Sequence, residues 1–130
     1  MRFKMYILKL MPLILVAYMV TVATLSFISL SMPNDTQLPE YFDKIVHFCF
    51  YFGMSILICA NICIKSNAIK YWNCVWALFV TLLFGILIEV IQPYTGRSFD
   101  VADIFANFCG DIVGIIIFVL FELRFRFFRS

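Results

Sequence analysis

Charge is scarce in this sequence. Asp, Glu, Lys and Arg make up 14% of its 130 residues, against about 25% in a typical soluble domain. Hydrophobic residues make up 64%, including 16 phenylalanines, and mean hydropathy is +0.99. A water-soluble fold of this composition would expose large apolar patches and aggregate, so a soluble globular domain is excluded and lipid is the expected solvent. The net charge is only +2, and the basic residues sit at segment ends without forming a stripe, so no nucleic-acid partner is expected. None of the five cysteines forms a C-x-x-C pair, and the single histidine, His47, is not spaced with them as a zinc site. No metal, cofactor or disulfide framework is therefore expected. Cys59 and Cys63, at i and i+4, read as small apolar packing side chains. Internal repeats, low-complexity tracts, a nucleophile elbow and a phosphate-binding loop are all missing.

What is present is a series of long apolar runs. A spanning helix needs roughly 17–25 mostly apolar residues, and four segments qualify: about 10–30, 45–64, 71–91 and 104–121. The first follows Arg2, Lys4 and Lys9, as a secretory signal would, and Ser29-Leu30-Ser31 resembles a cleavage site that would leave a chain starting at Met32. A signal core is usually about 7–15 residues, so the longer run is read as an uncleaved first helix. Pro33, Pro39, Pro93 and Gly96 mark two loops, where they break helices without disturbing a span. Short loops make consecutive helices antiparallel. The fold class expected is all-α, an integral membrane bundle of four transmembrane helices forming a single domain over 1–130. Arg2, Lys4, Lys9, Lys65, Lys70, Arg124, Arg126 and Arg129 fall on one side, and only Lys44 and Arg97 on the other. The positive-inside rule then places both the N and C termini in the cytoplasm. Tyr71, Trp72 and Trp76 fit an interfacial anchor near the inner end of the third helix.

Given that topology, the mixed polar residues gather at the outer ends of the helices. Asp43, His47 and Tyr51 are spaced i, i+4, i+8 on one face of the second helix, beside Lys44. Glu89 and Gln92 share a side of the third, with Gly85 one turn below. Asp103, Asn107 and Asp111 repeat the i, i+4, i+8 pattern on the fourth, and Arg97, Ser98 and Asp100 lie in the loop before it. Gly110 and Gly114 form a G-x-x-x-G pair that lets another helix approach. Facing lipid, a charge at mid-span costs about 2.5–3.5 kcal/mol on insertion scales, so three inward polar faces meeting in one outer site is the expectation. Each residue also has a plainer reading. Asp43 and Asp100 can cap helices, His47 can bond a neighbouring carbonyl, and Glu89 can pair with Arg97 or Lys44. Asn107 can be interhelical glue, worth about 0.6 kcal/mol on average. Asp111, about 12 Å along the helix from Asp103, must be paired, hydrated or protonated.

At these residues the sequence resembles the VanZ-like family of bacterial membrane proteins. The resemblance rests on Asp43-Lys44-x-x-His47-Phe48, on Glu89-x-x-Gln92-Pro93, and on Gly96-Arg97-Ser98-Phe99-Asp100-x-x-Asp103-x-x-x-Asn107-x-x-Gly110-x-x-x-Gly114. It covers residues 43–114. Asp111 departs from the pattern, standing where a small or apolar residue is expected. The family is named for a protein that confers resistance to the glycopeptide teicoplanin, so the resemblance implies an envelope role in the bacterial cytoplasmic membrane, without supplying a reaction.

Three functional readings follow. In the first, the outer site binds an amphiphilic or anionic envelope ligand. Arg97 and Lys44 meet phosphate or carboxylate, Glu89, Asp103 and Asn107 orient them, and Asp43, His47, Gln92, Ser98 and Asp100 complete the site. In the second, the protein is an enzyme on a lipid-linked precursor: His47 is the general acid or base, held by Asp43, with Glu89 or Asp103 as the second proton-transfer group. In the third, the polar residues hold the bundle together and the protein binds a protein partner. Four helices with one polar end give no continuous path for a channel.

Overall fold

The computed structural model of the chain describes residues 2–28, 40–66 and 70–129. It contains four long helices and, among the described residues, no strand: α1 (Arg2–Phe27), α2 (Glu40–Ser66), α3 (Tyr71–Ile91) and α4 (Val101–Arg129), with a 3-10 turn at Gln92–Thr95 between the last two. All four are long and apolar enough to cross a membrane, over Lys9–Phe27, Tyr41–Ser66, Tyr71–Thr95 and Val101–Phe125. The bounds of α3 match the apolar run. α2 and α4 run past their apolar runs at both ends and α1 starts earlier, at Arg2, because helical hydrogen bonds continue through charged flanks that an apolar run does not register; α1 ends at Phe27, short of the expected 30. Pro33, Pro39, Met32 and the cleavage-like Ser29–Ser31 lie outside the described residues.

The interior is more polar than a soluble core. Among the described residues, ten polar or charged side chains are buried, against seven hydrophobic ones, while Leu13, Trp72, Phe105 and Leu120 stand exposed on the outside. Lipid accepts that apolar exterior, so packing between helices has to come from close fit and polar contacts. The closest pair is α2 with α4, and Gly110 and Gly114 explain it. A Cβ at Gly110 would collide with the Phe48 carbonyl and lie 3.0 Å from the Phe52 nitrogen; one at Gly114 would strike Ser55 Oγ and lie 2.7 Å from the Phe52 carbonyl oxygen. The α1 helix is tied on by Tyr18 Oη donating to the Phe50 carbonyl at 2.9 Å and Asn61 Nδ2 donating to Met11 at 3.2 Å.

The connection from α3 to α4 shapes one end. Pro93 opens the 3-10 turn, and Gly96, at φ 88°, closes it by donating its N–H to the Gln92 carbonyl. Glycine alone adopts that left-handed backbone without a Cβ penalty. The reversal carries Arg97 and Asp100 back over the start of α2.

Candidate functional site

Four-residue spacing on three helices builds a stacked polar interior. The α2 helix supplies Asp43, His47, Tyr51 and Ser55, α4 supplies Asp103, Asn107 and Asp111, and α3 supplies Glu89, Gly85 and Thr81. All of these except Asp43 are buried, Glu89 and Asp111 to zero exposure. The three faces read from the sequence do converge.

The rim is a set of ion pairs. Lys44 Nζ lies 2.6 Å from Asp100 Oδ2 and 3.1 Å from Asp103 Oδ1, and Arg97 Nη2 lies 2.6 Å from Asp43 Oδ2. Arg97 Nη1 and Gln92 Nε2 both donate to the Ser26 carbonyl, at 3.3 and 3.1 Å, which pins the end of α1 to the turn. Asp100 serves two elements: Oδ1 accepts the Ala102 N–H at 2.8 Å at the start of α4, while Oδ2 holds Lys44. The Lys44 ammonium, helped by that N–H, keeps the Asp100 carboxyl below the usual carboxylate range.

Beneath the rim His47 is hemmed in on both nitrogens. Nδ1 lies 3.0 Å from Asn107 Oδ1 and 3.8 Å from Glu89 Oε1, and Nε2 lies 3.7 Å from Asp103 Oδ2. Glu89 Oε2 accepts the Asp100 N–H at 3.4 Å. Neither Arg97 nor Lys44 pairs with Glu89, because each is held by an aspartate nearer the rim. His47 is oriented by Asn107 and not by Asp43, whose carboxylate turns to Arg97. One turn further in, Asp111 lies beside the Thr81 hydroxyl and close to Tyr51; that hydroxyl donates its hydrogen to its own helix, at 3.0 Å from the Ala77 carbonyl, which leaves both Asp111 oxygens without a donor.

Asp43, Lys44, His47, Glu89, Gln92, Arg97, Asp100, Asp103 and Asn107 therefore share one end of the bundle. Ser98 is brought to it only in sequence: its side chain is exposed and makes no hydrogen bond with the others. Ser26, Ser55 and Thr81 escaped the sequence reading. Extending the four-residue spacing by one turn from Tyr51 and from Gly85 reaches Ser55 and Thr81, whereas the role of Ser26, played by its carbonyl, leaves no side-chain signal.

Chemically, the arrangement offers a histidine flanked by two carboxylates, and three donor groups, on Asp43, His47 and Asp103, within 4.8 Å of one another. Among the described residues, Asp43, Glu89, Asp100 and Asp103 share two lasting cations at this end, Lys44 and Arg97, leaving two net negative charges when all four carboxylates are ionised and the imidazole is neutral.

Membrane-length helices closed around a buried polar cluster at one end define a multi-pass membrane protein whose special chemistry lies between helices, away from its loops. The VanZ/LLP1 family model matches residues 2–122, and the chain belongs to that family. Neither a curated protein nor a solved structure matches it.

Proposed function

We propose that this chain recognises an amphiphilic or anionic envelope ligand at its polar end, and through that recognition contributes to glycopeptide resistance. In this reading the polar end faces outward from the bacterial cytoplasmic membrane and both termini are cytoplasmic. The observation that carries it is a concentration of buried polar atoms with no hydrogen-bond partner in the protein: Ser26 Oγ, Glu89 Oε1 and Gln92 Oε1. Each such group costs about 1–3 kcal/mol, and a bundle that needed polar residues only as glue would pair them. Hydroxyl and amide groups of a ligand would satisfy them. Arg97 and Lys44 are already bound to aspartates, so an acidic head group would draw on their remaining N–H donors. Tyr94 and Phe99, 87% and 48% exposed beside the turn, offer apolar surface to a lipid-like tail.

The test is a lipid and amphiphile profile of the purified protein beside a susceptibility panel of teicoplanin and other wall antibiotics. Enrichment of one class over bulk membrane, with protection lost in Arg97→Ala at matched membrane levels, is the expected result. A bound profile identical to bulk lipid, with no protection, would overturn it.

The position of His47 between Glu89 and Asp103 favours a second reading, an enzyme acting on a lipid-linked envelope precursor with His47 as general acid or base. Turnover of such a precursor by purified protein, abolished in His47→Ala, would select it.

A further inference from the structure

The two ring nitrogens of His47 have different surroundings. Nδ1 meets Asn107 Oδ1 at 3.0 Å; with the amide in this orientation its oxygen accepts, which assigns the ring hydrogen to Nδ1. In the neutral ring Nε2 then presents its lone pair to Asp103 Oδ2, 3.7 Å away. A lone pair and a carboxylate oxygen, both almost out of solvent, repel each other unless a positive centre lies between them. Two donor atoms bound tetrahedrally at about 2.0–2.2 Å from one zinc ion lie about 3.3–3.6 Å apart, close to that separation.

The third donor is Asp43, whose carboxylate completes a set lying within 4.8 Å. Each aspartate has one oxygen on a cationic side chain, Oδ2 of Asp43 on Arg97 and Oδ1 of Asp103 on Lys44, and has a second oxygen besides. Such outer partners orient ligands at metal sites, as does a carbonyl accepting the far N–H of a ligating histidine; Asn107 fills that role here. An independent observation is Glu89 Oε1, fully buried, without a hydrogen-bond partner and 3.8 Å from the same imidazole. It lies on the Nδ1 side of the ring, where a carboxylate oxygen favours the hydrogen on that nitrogen and so leaves Nε2 free to ligate.

We propose that Asp43, His47 and Asp103 bind one divalent transition-metal ion of the zinc type. An imidazole favours zinc over magnesium or calcium, and two carboxylates with no thiolate suit a harder site than a structural cysteine cage. Three protein donors leave a coordination position open, so the ion anchors an oxygen of an exogenous phosphate, carboxylate or hydroxyl. The proposal goes beyond the ligand reading and holds whether or not an amphiphile occupies the rim.

The experiment uses untagged full-length protein in detergent, stripped with chelator, exposed to Zn2+ and passed through gel filtration before metal analysis. About one zinc per chain is expected for the wild type, with a loss of at least about tenfold in affinity in both His47→Ala and Asp103→Asn. Zinc at buffer level in the wild type, or zinc retained undiminished in both variants, would overturn the proposal. Should either variant fail to elute as folded protein, Co2+ bound to the wild type decides the matter. Visible d–d bands without a thiolate charge-transfer band support the oxygen and nitrogen donors named. A thiolate band moves the ion to the cysteines, and the absence of any cobalt spectrum denies the site. Lipid enrichment is measured on separate samples, so loss of one reading leaves the other standing.

Discussion

Arg97 reaches from the turn after α3 to Asp43 at the start of α2, Nη2 to Oδ2 at 2.6 Å, while its other terminal nitrogen donates to the Ser26 carbonyl of α1. One side chain thus joins three segments at the polar end. The pair is only partly buried, at 20% and 41% side-chain exposure, and such pairs contribute roughly 0–1 kcal/mol.

Arg97→Ala is therefore expected to stay within about twofold of wild-type membrane abundance, by the small size of that term, while losing any protective or binding function. Quantitative immunoblotting of membranes beside the functional assay checks this. A fall in abundance that tracks the functional loss would instead assign Arg97 to holding the bundle.

The seam between α2 and α4 makes the opposite expectation. At Gly110 an added methyl meets backbone, the Phe48 carbonyl and the Phe52 nitrogen, which has no rotamer with which to yield. Gly110→Ala should destabilise by about 1–3 kcal/mol, the usual range for overpacking, and lower the thermal midpoint in detergent. Gly85→Ala should cost less, because its neighbours at 3.1 Å are the side chains of Asn107 and Tyr51. Equal midpoints for the two variants would contradict the close approach.

Asp111 is buried to zero exposure with both oxygens unpartnered. An unpaired charge in a span is costly, about 2.5–3.5 kcal/mol on insertion scales. Asp111→Asn is expected to match or exceed the wild-type thermal midpoint. A clear loss of stability would show that the carboxylate has a partner that the amide cannot replace.

Orientation is open to direct measurement. Fusion of a cytoplasm-only fluorescent reporter after Ser130 should fluoresce, and a cysteine introduced at the exposed Tyr94 should react with a membrane-impermeant reagent on intact cells. Labelling only after lysis would invert the topology and move the polar end to the cytoplasm.

The sequence made the spans legible because bilayer thickness sets a length that an apolar run must satisfy. The bounds of α3 came out to the residue, while α4 runs to Arg129, past the point where apolarity could mark its end. Convergence of the site was legible for a similar reason, since His47, Glu89 and Asn107 each sit on a four-residue ladder that only an inward face can accommodate. Pairing was not legible. Glu89 could have taken either cation from spacing alone, and the choice is made by the Gly96 reversal, which sets Arg97 over Asp43 and leaves Glu89 facing His47. Ser98 shows the same limit: its place in the motif says nothing of which way its side chain turns.

The sharing of the polar end among three helices has a consequence for how the protein is made. As the chain enters the membrane in order, His47 on α2 and Glu89 on α3 arrive before Asn107 and Asp103 on α4. Until the last helix is released sideways into the bundle they have only each other, 3.8 Å apart in the finished fold, and the water that reaches the ends of their spans. Closure of the polar cluster is thus tied to the final insertion event. A nascent chain stalled before Asp103 would hold its histidine and glutamate without their α4 partners.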